Sequence, residues 1–93
     1  MSDRKAAKFQ IINDLGLHAR AATKLVQLAS KYPKCDVQLS HQGQTANAKS
    51  VMGVLLLCGS KGTVIEVTAT GENADECVSA IGELIASRFG EPS

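Results

Sequence analysis

The sequence is short of what several functions need. No C-x-x-C pair occurs among its three cysteines, Cys35, Cys58 and Cys77, and neither His18 nor His41 stands at a metal-ligand spacing from one of them. No metal and no cofactor are expected, and the cysteines read as small buried hydrophobes in a reducing compartment. A dominant charge is also missing. Ten basic and nine acidic residues leave a formal charge of +1, and no basic stretch is interleaved with aromatics, which disfavours nucleic-acid binding. The longest apolar run, Val54 to Cys58, is far too short to span a bilayer. The polar start, Met1 to Lys5, leads into no signal-peptide core, so a soluble cytoplasmic protein without membrane insertion is expected. There is no internal repeat and no linker. Residues 1–93 are expected to form one domain, with a hydrophobic share of 44% that argues against disorder.

What is present centres on Gly16-Leu17-His18-Ala19-Arg20. Ala22, Leu25, Val26 and Ala29 follow the i, i+3, i+4, i+7 spacing of one apolar helical face, which predicts a helix beginning at or just after His18. The first turn of a helix carries backbone N–H groups without intrahelical partners, and its positive dipole end favours anions, phosphate above all. Arg20 adds a fork of donors suited to phosphate oxygens. A nucleophilic imidazole, orphan N–H groups and a guanidinium thus fall within one turn. On spacing alone, though, a lone histidine at a helix start is more often a cap or a solvated surface residue.

The remaining elements follow from periodicity. Lys8-Phe9-Gln10-Ile11 alternates like a strand, and Asn13 to Gly16 is a loop. Lys31 and Lys34 sit near the expected end of the first helix, which Pro33 prevents from continuing. Cys35 to Ser40 and Gln44 to Ala48 read as a hairpin joined by a turn at His41-Gln42-Gly43, a purely structural place for His41. Ser50 caps a short helix over Val51 to Leu56, weakened by Gly53. Gly59-Ser60-Lys61-Gly62 lacks the leading glycine and the context of a nucleotide-binding loop, so it reads as a simple connection. Thr63 to Thr70 is the clearest strand, ended by Gly71-Glu72. Asn73 with Glu76 suggests a capping box, and Cys77, Val78, Ile81, Leu84, Ile85 and Phe89 line the face of a last helix. Arg88, Gly90 and Pro92 mark its end. The order β-α-β-β-α-β-α predicts an α+β fold with helices on one face of an antiparallel sheet. The other face is solvated through Lys8, Gln10, Gln38, Glu66 and Thr68.

Two motifs in this order, Gly16-Leu17-His18-Ala19-Arg20-Ala21-Ala22 and Lys49-Ser50-Val51-Met52-Gly53-Val54, resemble the HPr family, the histidine-containing phosphocarriers of the bacterial phosphotransferase system. The likeness runs over nearly the whole chain. It implies an open-faced β-sandwich of four antiparallel strands and three helices. It also implies that His18 takes a phosphoryl group from enzyme I on Nδ1 and passes it to IIA domains in sugar uptake, with Arg20 and the backbone of Ala19 and Arg20 holding the phosphate. Such a protein is a stoichiometric carrier with a phosphohistidine intermediate, not a stand-alone catalyst, and nothing in its sequence requires it to be more than a monomer.

The helix terminus and Arg20 are expected to disfavour the imidazolium and keep His18 neutral. By the same resemblance, Lys49-Ser50 matches the site that HPr kinase/phosphorylase acts on in many, though not all, members. Val51, Met52 and Leu55 belong to the helix that in the family lies beside the histidine, and are expected to supply a docking patch. One departure is Ala21, where the family usually has proline; it gives a looser helix start with one more backbone donor. Alternatives remain a regulatory, nitrogen-type carrier and a docking module. Hydrolysis by His18 is disfavoured, since Asp14 is the only carboxylate nearby in sequence.

Overall fold

The computed structural model describes residues 3–93; Met1 and Ser2, part of the polar start, lie outside the described residues. Four strands and three helices follow one another as β1 (Arg4–Gln10), α1 (Ala19–Ala29), β2 (Cys35–His41), β3 (Gln44–Asn47), α2 (Val51–Leu56), β4 (Val64–Gly71) and α3 (Ala74–Ala86). A 3-10 turn over Arg88–Gly90 follows α3. The sheet order is β1-β4-β2-β3, antiparallel throughout, with the three helices on one face as the alternation predicted. Val37 and Leu39 of β2 and Ile65, Val67 and Ala69 of β4 point into that interface. Opposite them lie Ala22 and Leu25 of α1 and Cys77, Val78, Ile81 and Ile85 of α3, all buried. The side chains between them in sequence face water, which is the period-two logic of a half-buried sheet.

Several boundaries differ from the sequence reading for identifiable reasons. β1 starts at Arg4, because Arg4 to Gln10 pair along their whole length with Thr70 to Val64. Its first residues are exposed, so backbone pairing rather than burial holds them and no alternation marks them. The β2–β3 turn is confined to Gln42 and Gly43, both with positive φ (49° and 80°), the twist that two-residue hairpins favour; His41 closes the strand instead.

α1 ends at Ala29, with Ser30 as its cap, before Lys31 and Lys34 can serve its terminus. The cation that caps the following turn comes from elsewhere: Lys49 Nζ donates to the carbonyls of Tyr32 (2.8 Å) and Cys35 (2.6 Å). Asn73 does not form a capping box. It adopts a left-handed backbone (φ 63°), and its side chain makes no cap hydrogen bond. α3 stops at Ala86, three residues short of Phe89, because Arg88, Phe89 and Gly90 all take left-handed φ values of 59°, 55° and 78°. Phe89 is nevertheless buried, since this turn folds it back against the core.

Cys35 and Cys77 are buried thiols, and burial followed by the neighbouring Cys35 pushes Cys77 up to about 11. Cys58 breaks the expectation. Its left-handed φ (54°) just after α2 turns it outward, while Leu57 fills the core position. Among the described residues no helix is long and apolar enough to cross a membrane.

Candidate functional site

The loop before α1 is fastened at both ends, and this fixes where His18 stands. Gly16 takes φ 65°, and a Cβ there would lie 2.4 Å from the carbonyl oxygen of Gly59. Glycine is what lets the two backbones come together, and Leu17 N then donates to that same oxygen at 2.7 Å. The Gly59 to Gly62 connection, dismissed as a nucleotide site, therefore has a supporting role beneath the histidine loop. Buried Leu17 pins the loop from inside. Asn13, wholly buried, donates from Nδ2 to Gly16 O at 2.9 Å.

His18 is the N-cap of α1, in extended backbone geometry, and Ala22 N donates to its carbonyl at 2.8 Å. Its side chain is 26% exposed, at a helix tip rather than in a pocket. The ring nitrogens have different surroundings. Nδ1 accepts from the first-turn N–H of Arg20 at 3.3 Å, so the imidazole occupies a donor that the sequence reading assigned to phosphate. Nε2 bonds to Glu91 Oε2, from the far end of the chain. Ala19 and Arg20 are exposed beside the ring, and among the described residues the Arg20 guanidinium makes no hydrogen bond. Ala21, at the position where the family's proline was expected, is fully buried.

Glu91 meets the His18 ring, and sequence reasoning did not anticipate it. Its carboxylate side chain is 8% exposed and accepts from Asn13 Nδ2 on Oε1 at 3.0 Å while Oε2 meets His18. The hydrogen bond to His18, then that from Asn13, with Arg20's charge adding, holds the carboxyl below its usual range. The surroundings of the ring are therefore not purely cationic. Asp14, the carboxylate nearest in sequence, turns away and pairs with Lys61 Nζ at 2.7 Å, which lowers its own pKa.

Ser50 caps α2 as expected, its Oγ accepting from Gly53 N at 3.1 Å. Of the three docking candidates, Met52 stands free at 67% exposure, whereas Val51 and Leu55 are half-buried against the core. Two residues not anticipated share the exposure of Met52: Leu56 on the same helix and Leu15 in the histidine loop, both 70% exposed. Among the described residues no cluster of three or more His, Cys, Asp or Glu side chains is placed to hold a metal. A surface hollow of about 720 Å³ lies on the open sheet face between Lys8, His41, Lys61 and Glu66 and does not include His18.

Comparison with known proteins agrees with this layout. Residues 5–87 match a family described as the PTS HPr component phosphorylation site. The phosphocarrier protein HPr of Xylella fastidiosa is 49% identical over 81 residues, covering 87% of this chain and 90% of that protein. The HPr of Pseudomonas aeruginosa is 44% identical over 87 residues, covering 92% and 96%. In structure, the chain superposes on the crystal structure of HPr-C-His from Thermoanaerobacter tengcongensis with a TM-score of 0.91 at 38% identity. That match covers 96% of this chain and 99% of the other.

Proposed function

The chain belongs to the HPr family of phosphocarriers of the phosphotransferase system, and from that premise we propose that His18 is its phosphoryl acceptor. In this reading Nδ1 of His18 takes the group from enzyme I, and IIA domains take it onward for sugar uptake in the cytoplasm. The observation that carries the reading is the placing of His18 Nδ1 at the mouth of α1, against the first-turn N–H of Arg20. On phosphorylation the lone pair of Nδ1 is spent on the P–N bond. The Arg20 N–H and the dipole end of α1 then face the phosphoryl oxygens instead of the ring. The exposed guanidinium of Arg20 adds positive charge without closing a pocket, which suits a group that must leave again. Partial exposure of the ring leaves room for a partner's own active site to approach.

Ser50 adds a regulatory arm to the proposal. Its hydroxyl caps α2 beside Met52, so a phosphate placed there by HPr kinase/phosphorylase would change the charge of the docking surface while sitting at a helix start that tolerates it.

The test is phosphoenolpyruvate-driven labelling with enzyme I, beside a His18→Ala control. Acid-labile label that is absent from the control is expected. Label that persists in His18→Ala, or none in the unaltered protein, would overturn the acceptor assignment and leave a docking or regulatory module as the better reading.

A further inference from the structure

We propose that Glu91 is a positioning residue for His18. Its carboxylate fixes the ring as the Nε2–H tautomer and balances the positive charge that the ring gains when Nδ1 takes a phosphoryl group. The inference rests on the reading of His18 as the acceptor.

The two bonds to the ring define one tautomer between them. A backbone N–H can only donate, so the nitrogen facing Arg20 N must offer its lone pair. An ionised carboxylate can only accept, so the nitrogen facing Glu91 must carry the proton. Glu91 thereby leaves the lone pair at the nitrogen that sits over the helix mouth. The arrangement follows the logic by which a buried carboxylate orients a nucleophilic or basic histidine elsewhere.

The chain goes to some length to place this carboxylate. Three consecutive left-handed residues, two of them not glycine, turn the backbone between α3 and Glu91. Such backbone persists only where surrounding contacts hold it. Here Phe89 is buried, Lys24 Nζ of α1 donates to Phe89 O at 2.6 Å, and Asp14 N donates to Ser93 O at 3.1 Å. Asn13 gives both amide protons, one to Gly16 O and one to Glu91 Oε1, and its buried Oδ1 has no partner among the described residues. A buried acceptor without a partner costs stability, and the structure accepts that cost to keep the amide facing the carboxylate.

The transfer step balances without a proton leaving the ring. The Nδ1 lone pair forms the bond to phosphorus. The bond from phosphorus to the donor's atom breaks, and its electron pair stays with the donor. The imidazole, still protonated at Nε2, now carries a positive charge beside the Glu91 carboxylate. In the onward step the P–Nδ1 pair returns to the ring, which becomes a neutral Nε2–H imidazole again. Keeping the proton on Nε2 keeps the phosphorylated ring a good leaving group, so the same carboxylate serves both directions.

The experiment compares the full chain with Glu91→Ala, Glu91→Gln and Glu91→Asp. Ring ¹⁵N shifts of His18 report the tautomer, and transfer from phosphorylated enzyme I is followed as kcat and KM. The unaltered ring is expected to give one protonated and one acceptor nitrogen. In Glu91→Ala the two shifts should converge, and kcat should fall about ten- to a hundredfold with KM little changed. Glu91→Asp should recover part of the loss, and Glu91→Gln should keep the tautomer better than the rate. A folded Glu91→Ala chain with an unaltered tautomer, or with undiminished kcat, overturns the proposal. If the unaltered chain takes no label on His18, the acceptor reading fails instead, and the tautomer comparison alone then decides the role of Glu91.

Discussion

Asn13 and Glu91 stand 78 positions apart in sequence and meet through a 3.0 Å hydrogen bond from the asparagine amide to the glutamate carboxylate. The bond ties the loop that enters α1 to the segment that leaves α3, and His18 lies between them. The beginning and the end of the fold are thus joined at His18, the proposed acceptor. A carrier needs its histidine oriented but reachable. Here the orientation comes from two chain segments packed behind the ring, and its front is left open.

That contact gives the stability of the protein an acid limb. Glu91 is held below its ordinary value of 4.5 by His18 first and Asn13 second. A carboxyl with a depressed folded pKa stabilises the native state fully above its unfolded value, and the contribution fades as the pH falls through the folded value. Thermal melts of the protein and of Glu91→Gln should therefore differ most above the ordinary value of 4.5 and converge as the pH falls through the lowered folded value. A gap of constant size over that range would mean that Glu91 does not titrate against folding.

Gly16 should be the least tolerant position of the histidine loop. A methyl group there meets the Gly59 carbonyl oxygen at 2.4 Å and must also adopt φ 65°. Neither strain can be relieved by a flexible side chain, because the obstacle is backbone. Gly16→Ala is expected to cost about 1–3 kcal/mol in denaturant unfolding. Because Leu17 N bonds the same oxygen, the loop should shift with the substitution, and labelling of His18 should slow even where the protein stays folded. Full stability with full labelling would remove the glycine from the argument.

The parts of the site that were legible in the sequence are the local ones. His18 as a helix start and Ser50 as a cap depend on a few neighbouring residues, and the periodicity of α1 depends on one turn following another. The fold class was legible for the same reason, since alternation and helical spacing each act over short windows. Glu91 was not legible. A carboxylate between Gly90 and Pro92 reads as a solvated tail, and it reaches His18 through the left-handed turn, buried Phe89 and long-range bonds from Lys24, Asp14 and Asn13. Lys49 is a similar case, reaching back 17 and 14 positions to cap the turn after α1. Asn73 shows a different limit. Asparagine suits both a side-chain cap and a left-handed backbone, and the chain uses the second.

Ser50 offers a direct test of a local reading. Its Oγ satisfies Gly53 N in a helix of six residues that also contains a glycine, so α2 has little stability to spare. Ser50→Ala should destabilise the protein by about 0.5–2 kcal/mol in urea, while Ser50→Asp, which can still accept from that N–H, should recover most of the loss. An alanine variant as stable as the parent would show that packing alone holds α2.

Met52 is where docking and stability can be separated. It is 67% exposed on α2, so an aspartate there breaks no core contact, whereas the same change at half-buried Val51 or Leu55 would also unsettle packing. Exposed apolar side chains of this size are commonly contact residues, and methionine adapts to partners of different shape. Met52→Asp is therefore expected to weaken binding to enzyme I about tenfold or more, the scale of a contact worth over 1 kcal/mol, with an unchanged melting temperature. Leu56→Asp and Leu15→Asp, at 70% exposure, give the extent of the patch. If Met52→Asp binds as tightly as the parent while remaining folded, α2 does not reach the partner, and docking must be sought nearer the His18 loop, where Leu15 stands.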